Sequence, residues 1–172
     1  MRREPALTRA TLRLAVLAPL LIAPVLCRAA NNCPWLTEAT ASGLLESDAV
    51  GAFTAPAGGQ PALCVFTSDA QGARRILRLE VEVTPDAHDH VMAASQACGR
   101  DGAALKAIGN EAVACATSDR KGETGERAVG RVRDQAFVIT IESSVKNDPV
   151  LTRDALKGKI YTAAEQVAGN LY

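Results

Sequence analysis

Leu77, Leu79, Val81 and Val83 alternate with Arg78, Glu80 and Glu82, and no other stretch constrains the fold of this chain as tightly. Successive side chains of a strand point to opposite faces, so a period of two buries one face and wets the other. That is the habit of an antiparallel sheet covered on one side. The strand is predicted over residues 74–83. A partner strand over 62–67 (Ala-Leu-Cys-Val-Phe-Thr) precedes it across the turn-like Ser68-Asp69-Ala70-Gln71-Gly72. Further strands are predicted over 111–117, 126–133 and 136–142. The Asp134-Gln135 link makes the last two a hairpin, and Phe137, Ile139 and Ile141 repeat the alternation.

Three helices complete the pattern. Thr37 is placed to cap the first, with Leu36 stapling against Ala41; Leu44 and Leu45 extend its stripe until Ser47-Asp48 end it. Thr84-Pro85-Asp86 opens the second, with Ala87, Val91, Ala94 and Cys98 on one face and Gly99 as its stop. Asp148-Pro149 begins a long C-terminal helix bearing Leu156, Ile160, Ala163, Val167 and Leu171, which Gly158 kinks or divides. Residues 51–61, rich in Gly and Pro, read as a loop. The expected fold class is α+β: an antiparallel sheet of about five strands with helices packed on one face, in the order α-β-β-α-β-β-β-α.

The N-terminus carries a secretory leader. Arg2, Arg3, Arg9 and Arg13 precede an apolar run from Leu14 to Leu26, and Arg28-Ala29-Ala30 leads into Asn31-Asn32. Cleavage after Ala29 leaves residues 30–172 as one mature domain. Pro19 and Pro24 interrupt the apolar run, which is shorter than the ~20 residues of a spanning helix, so no membrane span is expected after cleavage. Cys27 as an acylated lipoprotein cysteine fits poorly, because Pro24-Val25-Leu26 lacks a small residue just ahead of it.

Removing the leader leaves four cysteines, Cys33, Cys64, Cys98 and Cys115. In an exported chain these are structural bridges, because the compartment oxidises thiols. Four cysteines admit three pairings and sequence selects none; the pairing favoured is Cys33–Cys64 with Cys98–Cys115. The alternative, a metal or redox site, lacks a Cys-x-x-Cys motif. The leader removes five of the 19 Lys and Arg but one of the 19 Asp and Glu, so the mature domain has four more acids than bases. An acidic domain is a poor partner for nucleic acid or an anionic membrane. One Trp, three Phe and two Tyr supply few platforms for stacking sugars or bases.

No residue pattern supplies a catalytic set. His88 and His90 are the only histidines, in Asp86-Ala87-His88-Asp89-His90. Residues two apart on a helix point about 200° apart, so they cannot share one metal ion; Asp86 and His90 are spaced to pair instead. Arg74, Arg78, Glu80 and Glu82, with Arg127, Arg131 and Arg133, form a charged wet face, either an anion- or partner-binding surface or a cross-strand network that keeps the sheet soluble. Trp35, after Cys33-Pro34, packs on the core beside a disulfide. Gly99-Arg100-Asp101-Gly102 and Gly122-Glu123-Thr124-Gly125 match no phosphate-binding fingerprint. There is no nucleophile elbow, no zinc-protease motif and no cofactor signature. Paired carboxylates distant in sequence remain open.

Cys33-Pro34-Trp35-Leu36-Thr37-x-Ala39, Cys64-Val65-Phe66 and Ile108-Gly109-Asn110-Glu111-Ala112 together resemble an uncharacterised family of small secreted bacterial cell-envelope proteins and lipoproteins. The resemblance implies a periplasmic or cell-surface setting and an α+β sheet, and carries no catalytic residues. The expected function is a non-enzymatic binding or accessory module for an envelope protein or small ligand. The alternative is an envelope hydrolase that uses carboxylates.

Overall fold

The computed structural model describes residues 32–117 and 124–172. The predicted leader, with Cys27, lies outside the described residues, as does Gly122-Glu123 of the second glycine-bearing loop. Seven strands form a single antiparallel sheet: β1 (Val50–Thr54), β2 (Ala62–Ala70), β3 (Ala73–Val83), β4 (Ala103–Ala104), β5 (Glu111–Ala116), β6 (Thr124–Val132) and β7 (Gln135–Ser143). Their order across the sheet is β1-β2-β3-β7-β6-β5-β4. The helices are α1 (Glu38–Leu45), α2 (Ala87–Gln96) and α3 (Arg153–Leu171). The α+β class and the five predicted strands are present, and two further strands extend the two edges.

The first extra strand, β1, occupies part of the predicted 51–61 loop. Its Gly51 serves close approach and not a turn: a Cβ there would come within 2.8 Å of the Phe66 ring. The Gly51 N–H donates to Glu38 Oε1 at 2.8 Å, tying the strand to α1. The second, β4, is two alanines paired with Val113 and Ala114, too short to carry an alternation.

The helices do not share one face, which corrects the expected arrangement. On β7, Phe137, Ile139 and Ile141 join the main core with Leu44 and Leu45 of α1 and with Leu156, Ile160 and Val167 of α3. The alternate residue Ala136 joins a second cluster with Val129 and with Ala87 and Val91 of α2, and Val138 packs against it. Because neighbouring β7 side chains point to opposite faces, α1 and α3 cover one face and α2 part of the other. The apolar stripe of α2 predicted this burial but not its side.

Helix ends follow local chemistry. Thr37 caps α1, its hydroxyl accepting from the Thr40 N–H at 3.1 Å. The C-terminal helix starts later than predicted and runs unbroken past Gly158, where an added Cβ would meet nothing within 4 Å. Thr152 caps it, accepting from the Ala155 N–H at 3.3 Å. Asp148, expected to open the helix, is instead buried. It receives Arg75 Nε at 2.7 Å and Nη2 at 3.0 Å, the Ser143 hydroxyl at 2.8 Å and the Val150 N–H at 2.9 Å.

The disulfides join Cys33 to Cys64 and Cys98 to Cys115, with Cα–Cα distances of 5.6 and 5.5 Å. Cys64 pairs in register with Leu79 of the main core, whereas Cys115 pairs with Arg127 on the opposite face. One bridge therefore fastens the N-terminal segment under the sheet, and the other fastens the end of α2 above it. Two glycines mark close approaches. A Cβ at Gly130 would lie 2.5 Å from Phe137 Cζ, so the ring crosses the strand only over glycine. Gly109, at φ 56°, would place a Cβ 2.3 Å from the Arg131 carbonyl oxygen, which gives the Ile108-Gly109-Asn110 turn its residue choice.

Candidate functional site

The first two turns of α3 overhang the β4–β5–β6 end of the sheet without closing on it. A cleft of about 640 Å³ remains, within the size range of small-molecule sites. Its floor is built from Ala103, Ala114 and Ala116, with Leu105 beside them. Alanine at these positions leaves volume that larger side chains would fill. Ile160 of α3 forms the inner wall, and Arg153, Lys157 and Lys146 stand around the mouth. The Thr124 hydroxyl donates to the Lys146 carbonyl oxygen and holds that rim to β6.

Glu126 is the informative residue. It is 7% exposed, pairs in register with Ala116 and Ile141, and lines the cleft. No described residue donates a hydrogen bond to it. Partial removal of a carboxylate from water is costly unless donors replace the lost hydration. Burial raises its pKa above the ordinary 4.5, and the charges of Lys157 and Arg153 offset only part of that rise. A folded-state pKa above the unfolded one means that the neutral form favours folding. That contribution is complete below pH 4.5 and is lost as pH rises through the folded value. Glu126→Gln is therefore expected to raise the thermal midpoint at neutral pH and to leave it unchanged at pH 4, measured by circular dichroism. Stability gained by neutralising a carboxyl is the mark of a charge kept for another purpose.

The residues singled out from sequence lie elsewhere. His88 Nδ1 meets Glu111 Oε1 at 2.6 Å, and His90 Nδ1 meets Glu82 Oε2 at 3.0 Å. His90 thus pairs across to β3 and not with Asp86. The two rings reach opposite ways from the first turn of α2, and no group of three or more His, Cys, Asp or Glu among the described residues is placed to hold a metal ion. Arg131 also pairs with Glu111. Burial alone would raise the Glu111 pKa, but hydrogen bonds from His88 and Arg131 bring it below the ordinary value. Of the predicted charged face, Glu82 and Arg131 thus join ion pairs around the foot of α2, whereas Arg127 Nε is buried with no hydrogen-bond partner among the described residues. Arg133 lies in the β6–β7 turn at φ 57°, over the Tyr172 ring at 5.7 Å. Trp35 packs against the core with its ring edge toward Phe53, 6.2 Å away, beside a shallow hollow of about 420 Å³. Gly99-Arg100-Asp101 is a 3₁₀ turn whose exposed Asp101 reaches the cleft rim.

Sequence reasoning missed the cleft, although a signal for its key residue was present. Placing Arg127, Arg131 and Arg133 on the wet face of β6 puts Glu126, Ala128, Gly130 and Val132 on the covered one. A carboxyl at a core-facing strand position is the feature to read. Arg153, Lys157 and Ile160 likewise share one stripe of α3 at helical spacing.

The described residues form a disulfide-bonded α+β domain with a cleft lined by Glu126. No protein-family model, curated protein or solved structure matches the chain.

Proposed function

We propose that this protein is an extracytoplasmic bacterial binding module, periplasmic or secreted, that holds a small ligand in the Glu126 cleft without chemical turnover. The observation that carries this reading is the carboxyl of Glu126, a residue only 7% exposed, which faces the cleft with no hydrogen-bond donor among the described residues. Such a group is satisfied when a ligand occupies the space in front of it. Two disulfides suit an oxidising compartment, and no described helix is long and apolar enough to cross a membrane. The leader and the Cys33-Pro34-Trp35 and Ile108-Gly109-Asn110-Glu111-Ala112 motifs support membership of the envelope family they resemble.

One observation favours a second reading, an envelope hydrolase: a carboxyl with a raised pKa is what a general acid requires. Carboxylate-based hydrolysis, however, uses two carboxyls flanking the scissile bond. Among the described residues the cleft offers Glu126 and, at its exposed rim, Asp101. Fragment screening by amide chemical-shift mapping separates the readings. Ligands that move Ala114, Ala116 and Lys157 and are recovered unchanged support binding. Turnover in a hydrolase screen, abolished by Glu126→Gln, overturns it.

A further inference from the structure

Resting on that binding reading, we infer that the ligand is a small organic carboxylate with an apolar body. Its head lies between Arg153, Lys157 and Glu126, and its body lies on the alanine floor. Four features of the cleft converge on this class.

The first is charge. Among the described residues two cations of α3, Arg153 and Lys157, line this cleft and act on the Glu126 carboxyl. The second is position. Arg153 occupies the first turn of α3, where the positive end of the helix dipole disfavours a cation. Helix stability does not ask for Arg153 there, whereas an anion in the cleft does. The third is the floor. Ala103, Ala114, Ala116 and the Leu105 side chain present hydrocarbon, with Thr117, Thr124 and Asn147 also in the lining, which suits an aliphatic or ring body.

The fourth is the buried carboxyl itself. Protonated Glu126 has an O–H to donate and can give it to one oxygen of a ligand carboxylate. Ionised Glu126 repels the same anion. Among the described residues, the charged groups that line the cleft with it are Arg153 and Lys157 from α3, Lys146 from the segment after β7, and Asp101 from the 3₁₀ turn before β4. Strands β4 and β5 contribute uncharged side chains to the cleft. Of the described carboxyls that line the cleft, Glu126 is the buried one, so above its pKa the anion binds together with one proton there.

Octanoate is the probe, with octylamine and octanol as controls, followed by calorimetry and amide chemical-shift mapping on the purified protein. Octanoate is expected to move Ala114, Ala116 and Lys157. Its affinity is expected to fall toward about tenfold per pH unit once pH passes the Glu126 pKa, the slope for one linked proton. Glu126→Gln, which keeps a donor but cannot ionise, is expected to flatten that profile. Arg153→Glu with Lys157→Glu is expected to weaken octanoate at least about tenfold, equivalent to replacing favourable by repulsive charge at close range. Both variants change groups that reach solvent or gain by losing a buried charge, so folding is retained and verified by the same spectra. Octylamine displacing octanoate, or binding where octanoate does not, overturns the carboxylate class while the binding-module reading stands. Octanoate affinity independent of pH in the unaltered protein also overturns it. Hydrolysis of an octanoate ester, abolished by Glu126→Gln, overturns the binding reading itself.

Discussion

Arg75→Met is expected to lower folding stability by about 3–5 kcal/mol, measured by urea denaturation at pH 7, the cost of leaving one partner of a buried ion pair uncompensated. Arg75 is 1% exposed and Asp148 2% exposed. Their fork-to-fork contact is reinforced from both sides. Arg75 Nη1 donates to the Leu45 carbonyl at the end of α1 at 3.1 Å, and the Leu151 N–H donates to Asp148 Oδ1 at 3.2 Å. The pair thus joins α1, β3 and the approach to α3 in one place. Removing the cation leaves a buried carboxylate, and adding Asp148→Asn to Arg75→Met is expected to recover part of the loss. The pH dependence follows from the same contacts. Burial would raise the Asp148 pKa, but bonds from Arg75, Val150, Ser143 and Leu151 hold it well below the usual carboxylate range. With the folded value depressed, the stabilisation is present above the unfolded value of about 3.8 and is lost as pH falls below it. The unaltered protein therefore weakens in acid along a slope that Asp148→Asn lacks.

Removing the Cys33–Cys64 bridge is the second large effect. It closes a loop of 31 residues, for which the chain-entropy relation gives about 3.7 kcal/mol; the 17-residue Cys98–Cys115 loop gives about 3 kcal/mol. Cys33→Ala with Cys64→Ala should show the larger loss in denaturant midpoint, and a further local sign. Trp35 is the only tryptophan and sits two residues from the bridge. Its emission is expected to shift to the red in the double variant while the helical circular dichroism signal persists at low denaturant. The Cys98–Cys115 variant should leave Trp35 emission in place, because that bridge lies on the opposite face of the sheet. Equal emission shifts in both variants would contradict this assignment of the bridges to separate faces.

Period-two alternation located β3 and β7 because their inner residues are large and apolar, as at Leu77, Leu79, Phe137 and Ile139. It did not reveal β1, whose burial pattern has no fully covered position and whose Gly51 reads locally as a turn. The side chosen by α2 was equally hidden. Ala136 and Val138 are apolar on the uncovered face of the expected fold, and their small size masks a helix seat. The same alternation, extended one step back from Leu77, places Arg75 in the core. A charge at an inward position needs a distant partner, and Asp148, 73 residues away, has the local signature of a helix start. Glu126 was legible in the same manner, as an acid on the inner face of β6. What no one-dimensional pattern shows is the unfilled space in front of it. That space depends on alanines from β4 and β5 meeting the overhang of a helix that begins at Arg153.

Carbon-detected NMR titration of the Glu126 side-chain carboxyl tests the cleft most directly. The expected pKa lies above the ordinary glutamate value of 4.5 in the free protein and rises further when octanoate is present. A Glu126 pKa at or below 4.5, unmoved by octanoate, would contradict it.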